Sequence, residues 1–354
     1  MFGASTDLQA ILPITLGPLA KIFALSLIGA LLWRFKVLDS QGVDTLTRLV
    51  VQLLLPLLIF TEVVDQFRPE APEYAGWSLM PLVAILTIGA ALGFAVLPAR
   101  LLCAPQKRRP FAAMLAFHNA GYIPLALIDA IYGQRPELAA AHDHMLVLLF
   151  LYLLGQSPLL WLLGVSILRK TREDGARGPA EANGLRRWLG ILSPPFVANV
   201  AAIGLCLLRV PQSVPAAWVG ALLSPLKLLG QCTTPVIMVT LGAMLGELDF
   251  SNRPAKREIG SLALLRLMAL PGAGYLILAA LLHAGLLPRS WAMLLFLQTL
   301  TPTATNLAVM ARAYGSDEAS DFVNHSILVL YVASLATIPF WLTLWAAKIG
   351  LNVG

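Results

Sequence analysis

The stretch Thr299-Leu-Thr-Pro-Thr-Ala-Thr-Asn306 is polar and is broken by a proline, although the residues on both sides of it are apolar. A second stretch of this kind, Phe117-His-Asn-Ala-Gly-Tyr-Ile-Pro124, lies in the other half of the chain. Lipid tolerates non-helical backbone only where protein or a water-filled cavity satisfies its polar groups. Two interruptions at corresponding positions of two halves indicate a binding site between the halves.

The composition indicates that most of this chain lies in a lipid bilayer. Its mean hydropathy is +0.77, 58% of its residues are apolar and 12% are charged, whereas about a quarter of the residues of a soluble protein are charged. The apolar stretches are about 20 residues long, which is enough to span a bilayer. The sequence therefore predicts a polytopic membrane protein. The net charge of +6 is explained by connections on one side of the membrane and not by a nucleic-acid partner.

The predicted fold is all-α, with ten transmembrane helices. We number these spans 1–10 and place them at about 12–33, 46–66, 77–99, 110–133, 145–168, 189–208, 216–245, 259–284, 289–314 and 322–347. Span 7 is long, and we expect it to be tilted or bent at Pro225 and Pro235. Basic residues outside the spans divide 17 to 5 between the two sides. This bias predicts a cell-membrane protein with both termini outside and a cytoplasmic linker at 169–188.

An internal repeat relates the two halves, 1–168 and 189–354. Ile28-Gly-Ala-Leu-Leu-Trp-Arg34 resembles Ile203-Gly-Leu-Cys-Leu-Leu-Arg209, and Gln52-Leu-Leu-Leu-Pro56 resembles Gln231-Cys-Thr-Thr-Pro235. Each interruption also leads into a Leu-Ala…Tyr-Gly segment. Because each repeat has five spans, an odd number, the second repeat must enter the membrane upside down.

The two interruptions predict the ligand. Pro124 and Pro302 cannot donate a helical hydrogen bond, and Gly121 allows non-helical dihedral angles. The second half-helices are expected to begin near Leu125 and Leu307, with free amides and positive dipole ends that favour an anion. The polar side chains that would contact it are His118, Asn119, Thr303, Thr305 and Asn306. No close carboxylate pair suggests a metal site, and no cofactor is expected. The alternative is two kinked helices whose polar residues only satisfy their own backbones.

Other polar side chains lie within the spans. The ionisable ones are functional candidates because burying them is unfavourable; they are Lys21, Glu62, Asp65 and Asp129. Lys21 is expected to attract the anion or to pair with Glu62, and the alternatives are snorkelling or a structural ion pair. Snorkelling is also expected of Lys227 and Arg266. Gln52 and Gln156 face either the substrate cavity or a neighbouring helix. For His118, a satisfied core histidine is an alternative to a proton carrier.

Several motifs together resemble the auxin efflux carrier family, which includes plant PIN-FORMED carriers and bacterial permeases. They are Ile28-Gly…Arg34, Leu55-Pro-Leu-Leu-Ile-Phe60, Asn119-Ala-Gly-Tyr-Ile-Pro-Leu125 and Thr301-Pro-Thr-Ala-Thr-Asn306 through Ala313-Tyr-Gly315. The short linker is more similar to that of the bacterial or short-loop members. The resemblance implies two inverted repeats whose spans 4 and 9 cross at their breaks. It implies a scaffold of spans 1, 2, 6 and 7 that forms a homodimer, and moving spans 3–5 and 8–10 that carry an organic anion by an elevator mechanism.

By position, the resemblance assigns Asn119 and Pro124 to the first half of the crossover and Pro302, Thr303, Thr305 and Asn306 to the second. The predicted function is a secondary carrier for a small carboxylate or similar organic anion, embedded in membrane lipid. Three alternatives stay open: a sodium-coupled carrier similar to the bile-acid symporters, an anion sensor that transports nothing, and a membrane enzyme that uses His118 and Asp129. No catalytic motif supports the enzyme, so we do not expect one.

Overall fold

The computed structural model describes residues 8–133, 136–169, 192–247 and 256–351. Within these residues the regular secondary structure is helical throughout. The helices are α1 Leu8–Arg34, α2 Ser40–Leu49, α3 Leu55–Gln66, α4 Met80–Leu102, α5 Arg108–Ala116, α6 Tyr122–Ile131, α7 Ala139–Leu159, α8 Val165–Leu168, α9 Pro194–Leu207, α10 Val210–Ser213, α11 Ala216–Gln231, α12 Thr233–Glu247, α13 Lys256–Leu264, α14 Leu270–His283, α15 Arg289–Leu300, α16 Asn306–Tyr314 and α17 Asp317–Lys348.

Six helical stretches of the described residues are long and apolar enough to cross a membrane: Ser40–Gln66, Pro72–Leu102, Pro136–Leu168, Ala217–Met244, Arg257–His283 and Asp317–Lys348. Three shorter apolar helices accompany them, Ile22–Arg34, Tyr122–Ile131 and Pro194–Leu207. The protein is therefore a multi-pass, all-helical membrane protein, as the composition predicts. The count of ten crossings and the inverted relation of the halves stay predictions. The linker at 169–188 lies, apart from Arg169, outside the described residues.

Several spans are built from more than one helix. Single π-helical turns join α2 to α3 at Val50–Leu54, α7 to α8 at Leu160–Gly164, and α13 to α14 at Leu265–Ala269. In the last case Pro271 has no N–H for the carbonyl of Leu267, and the indole Nε1 of Trp341 donates to that oxygen instead, at 3.0 Å. A side chain from another helix thus takes over the hydrogen bond that the proline lacks.

Span 7 consists of α11 and α12, which meet at Cys232. Pro225 lies inside α11, so the expected bend is not a break there. The break lies three residues before Pro235, whose missing N–H would have bonded the carbonyl of Gln231 in a continuous helix.

Spans 4 and 9 are interrupted, span 4 between α5 and α6 at 117–121 and span 9 between α15 and α16 at 301–305. The second half-helices begin at Tyr122 and Asn306, earlier than the expected Leu125 and Leu307. The physical reason is that a proline is tolerated in the first turn of a helix, where its N–H would have no partner. Pro124 therefore lies inside α6 and not before it.

The helices pack in a reciprocal pattern. α1 packs on α12 and α9 packs on α3, so spans 1 and 7 pair as do spans 6 and 2. α4 contacts α5 and α7, while α14 contacts α15 and α13 contacts α17. The backbones of α1 and α12 are in direct contact. A Cβ atom added at Gly29 or Gly242 would lie under 3.0 Å from the backbone of the facing helix. Small residues of this kind let membrane helices approach each other.

Candidate substrate site at the helix crossover

The two interruptions are bonded to each other. The amide of Asn119 donates to the carbonyl of Pro302 at 2.8 Å, and the amide of Ala304 donates to the carbonyl of Phe117 at 2.9 Å. His118 and Thr303 thereby form an isolated antiparallel bridge. The backbone groups that leave their own helices are thus satisfied by the other interruption, as a low-dielectric interior requires.

Each proline leaves one carbonyl, four residues earlier, without a helical partner. Behind Pro124 this is the carbonyl of Ala120, and the side-chain Nε2 of Gln298 donates to it at 3.3 Å. Behind Pro302 it is the carbonyl of Gln298, which accepts from the hydroxyl of Thr301 at 3.0 Å and from Arg266 at 3.3 Å. The two breaks are therefore stabilised by side chains in the same way.

Arg266 does not snorkel to a membrane face. It is 3% exposed, and its guanidinium donates to the carbonyl of Thr301 at 2.6 Å, directly behind the second interruption. The sequence prediction was wrong because it started span 8 at residue 259, whereas α13 begins at Lys256 and places Arg266 deeper. Its contacts put a positive charge beside the crossover.

Asn119 ties the crossover to a neighbouring helix. Its Nδ2 donates to the hydroxyl of Tyr331 in α17 at 2.7 Å, and its Oδ1 accepts from the amide of Tyr122 at 3.0 Å. The hydroxyl of Tyr331 donates in turn to the carbonyl of Thr303 at 3.2 Å. Sequence reasoning missed Tyr331, because a single tyrosine in an apolar helix belongs to no motif.

A cavity of about 910 Å³, including its open mouth, lies next to the crossover. Residues 120–122 and 304–306 line it, so the N-terminal ends of α6 and α16 open on the same space. None of its described wall residues is acidic. The predicted site residues found in the wall are His118, Asn119, Gly121, Gln156, Thr305 and Asn306.

Other predicted contacts lie elsewhere. Gln52 is exposed and is not among the described wall residues of this cavity, so a role in substrate binding stays a prediction. Thr303 is fully buried, and its hydroxyl donates to the carbonyl of Phe117 at 3.0 Å. Its side chain therefore bonds the backbone of the other interruption and is not among the described wall residues of the cavity. Pro124 and Pro302 are likewise outside the wall.

His118 is buried and bonded. Its Nε2 lies 3.3 Å from the hydroxyl of Tyr152, which also bonds the hydroxyl of Thr87 at 3.0 Å. Asp129, the other residue of the enzyme alternative, bonds His142 at 2.7 Å and Thr234 at 2.5 Å. The proposed acid and base therefore have separate partners, and the structure does not bring them together.

Glu62 and Asp65 also lie apart from the described wall of the crossover cavity. Lys227 bonds Asp65 at 2.8 Å and lies 3.6 Å from Glu62, so Lys227 is ion-paired, and its snorkelling stays a prediction. The side chain of Lys21 lies outside the described part of the chain. Among the described residues, no group of three or more His, Cys, Asp and Glu side chains is arranged to hold a metal.

Gly121 is not required by the backbone. Its φ is −100°, which any L-residue adopts, and an added Cβ would meet only the side chain of Leu153, at 3.9 Å. This corrects the expectation that glycine is needed there for non-helical dihedral angles. We expect Gly121→Ala to change the free energy of unfolding by no more than about 0.5 kcal/mol. Thermal unfolding in detergent measures this change. A large loss of stability would show that this segment needs conformations other than the one described.

Comparison with known proteins agrees with this architecture. The pattern of the membrane transport protein family matches residues 14–342. An uncharacterized transporter of Methanothermobacter thermautotrophicus is 23% identical over 322 residues, which is 91% of this chain and 95% of that protein. Protein PIN-LIKES 2 of Arabidopsis thaliana is 31% identical over 120 residues, 32% of this chain, and the matched part spans a quarter of that protein's length. This chain therefore belongs to the membrane transport protein family, the auxin efflux carrier family that its motifs resemble.

Proposed function

We propose that this transporter is a secondary carrier that moves a small organic anion, such as a carboxylate, and binds it in the crossover cavity. The observation that carries the proposal is that two helix N-termini, those of α6 and α16, open on one cavity without an acidic side chain among its described wall residues. The dipole at a helix N-terminus favours negative charge. The support lies in this dipole and in the polar side chains of the wall, because the amides of Tyr122, Leu307 and Ala308 already donate to acceptors in the two interruptions. Arg266, bonded behind the crossover, adds a buried positive charge.

The walls of this cavity suit alternating access. Val51, Leu55 and Ile59 of span 2 and Asn199 of span 6 form one side. The other side consists of the two interruptions together with span 5, through residues such as Gln156. In the elevator that we propose, spans 3–5 and 8–10 move the anion past spans 1, 2, 6 and 7. The reciprocal pairing of spans 1 with 7 and 6 with 2 supports two inverted repeats, and the proposal includes a homodimer with both termini outside.

The proposal is tested with purified protein. A thermal-unfolding screen against small organic anions identifies a ligand, since a ligand that binds the folded state stabilises it by mass action. Uptake of that anion into proteoliposomes then tests transport. Saturable binding without flux would contradict a carrier and would leave an anion sensor. The absence of any bound organic anion would contradict the site itself.

Asn306→Ala separates substrate contact from folding. Asn306 lies in the cavity wall at the start of α16. If its amide donates to the anion, removing a hydrogen bond to a charged group costs about 1.5–3 kcal/mol, which weakens the apparent affinity about 10- to 100-fold. Asn306→Asp should weaken it further, because it places a negative charge beside the anion. The matched control is Asn324→Ala in α17, which lies outside the wall; equal affinity in all three variants would refute the assignment.

A further inference from the structure

A second polar cluster lies between α3, α6, α7 and α11, away from the crossover. Its side chains line a separate cavity, and those with a charge are Glu62, Asp129, His142, Asp143 and Lys227. Thr234 of α12 joins them by its hydrogen bond to Asp129. The cluster therefore spans the boundary between the proposed moving spans 4 and 5 and the proposed scaffold spans 2 and 7.

Most carboxylates of this cluster are paired. His142 lies between two of them, with Nε2 2.7 Å from Asp129 and Nδ1 3.0 Å from Asp143. Carboxylates accept hydrogen bonds, so this arrangement fits an imidazole that donates from both nitrogens and carries a positive charge. Asp65, at the rim, bonds Lys227 at 2.8 Å and is 45% exposed through its side chain. Each of these groups has a charged partner, access to water, or both.

Glu62 differs from the other acids. It is 4% exposed, and among the described residues its buried Oε2 has no hydrogen-bond partner. The one cation that the described residues place in an ion pair with Glu62 is Lys227, which lies 3.6 Å from the other oxygen and bonds Asp65 more closely. An ionised carboxylate oxygen buried without a partner is costly, and such a group neutralises itself where it can. Among the side chains that the structure describes here, four carboxylates surround two cations, Lys227 and His142, which leaves an excess of negative charge.

We propose that Glu62 is a proton-binding group of a second site, and that its Oε2 takes up a proton from water in this cavity. The proton reduces the excess negative charge of these groups from two to one. The groups that face Glu62 are Lys227 from α11, Asp129 from α6, His142 and Asp143 from α7, and Asp65 one turn along α3. α9 also packs on α3 but contributes there only the thiol of Cys206, which donates to the carbonyl of Val63 at 3.5 Å.

Protonation changes how the two groups of spans interact. A neutral Glu62 no longer attracts Lys227 of α11, while Asp129 of α6 still accepts from Thr234 of α12. The charge state of Glu62 thereby alters the electrostatic attraction across the boundary that would slide in the proposed elevator. Proton binding would then be linked to movement of the anion. This link rests on the proposed function, whereas the proton site itself does not.

Infrared difference spectroscopy of the purified protein, with no substrate present, tests the site. A protonated buried carboxyl gives a C=O stretching band that shifts on exchange into deuterated water. We expect this band in the wild-type protein at neutral pH in choline chloride. Glu62→Gln should remove it, and the matched control Glu73→Gln, an exposed acid outside the cluster, should keep it. Should Glu62→Gln fail to fold, Glu62→Asp should move the band, because the shorter side chain meets a different environment.

Three results would overturn the proposal. One is a wild-type spectrum without the band, and another is a band that survives Glu62→Gln unchanged. The third is a band that disappears when sodium chloride replaces choline chloride, because a metal ion would then compete for the oxygens. Failure of anion uptake in proteoliposomes affects none of these readouts, so it would contradict the proposed function and leave the proton site standing.

Discussion

Arg266→Met is expected to lower the free energy of unfolding by about 1–3 kcal/mol and to reduce anion uptake by about tenfold or more. The carbonyl of Thr301 would lose its 2.6 Å hydrogen bond, and the carbonyl of Gln298 would keep only the hydroxyl of Thr301. A buried acceptor left without a donor loses about 1–3 kcal/mol. Because Thr301 begins the second interruption, the loss falls on the backbone that forms the cavity wall.

Thermal unfolding in detergent and uptake into proteoliposomes measure the two effects. Arg266→Lys keeps the charge but lacks the planar fork of donors, so we expect it to recover part of the uptake and less of the stability. Arg289→Met, at the exposed start of α15, is the matched control and should behave as wild type. Wild-type uptake by Arg266→Met would mean that the guanidinium is dispensable for the crossover.

Gly29→Ala is expected to destabilise the protein by about 3 kcal/mol, the upper end of the range for overpacking. The added methyl group would overlap the backbone of Val239, and Gly242→Ala would overlap that of Ser26 in the same way. The two helices can relieve the overlap only by moving apart, because the obstructing atoms are main chain.

The repeat supplies a control for this substitution. Gly204 corresponds to Gly29 in the second half, but a Cβ there meets nothing within 4 Å. Gly204→Ala should therefore be neutral or stabilising by up to about 1 kcal/mol, since alanine favours the helix. The comparison is made by the midpoint of thermal unfolding in one detergent. Equal destabilisation by both alanines would refute the close contact of α1 with α12.

The interruptions were predictable because their signal is local. Proline, asparagine and threonine within an apolar segment place the breaks at 117–121 and 301–305 to within a few residues. The starts of the second half-helices were placed too late, at Leu125 instead of Tyr122 in the first case. A rule that begins a helix after its proline ignores the freedom of the first turn.

The neighbours of each side chain were not predictable. A buried membrane helix is apolar on all sides, so no periodicity tells which face meets which helix. The sequence therefore could not decide that Gln156 reaches the cavity and Gln52 does not. It could not pair Lys227 with Asp65, which is 162 positions away, nor bring Tyr331 to Asn119 across 212 positions. The polar residues of the two interruptions were predictable from the sequence, and their hydrogen-bond partners on other helices were not.

The bridge between the interruptions also governs how the protein is made. Phe117 and Thr303 are 186 positions apart, so the first interruption is synthesised long before the segment that satisfies it. Each polar main-chain group that is left without a hydrogen bond in lipid costs on the order of several kcal/mol of free energy. A nascent chain that stops before Thr303 therefore lacks the hydrogen-bond partners that the first interruption has in the complete structure. Synthesis of the second interruption, 186 positions after the first, is therefore the step that satisfies the main chain of both.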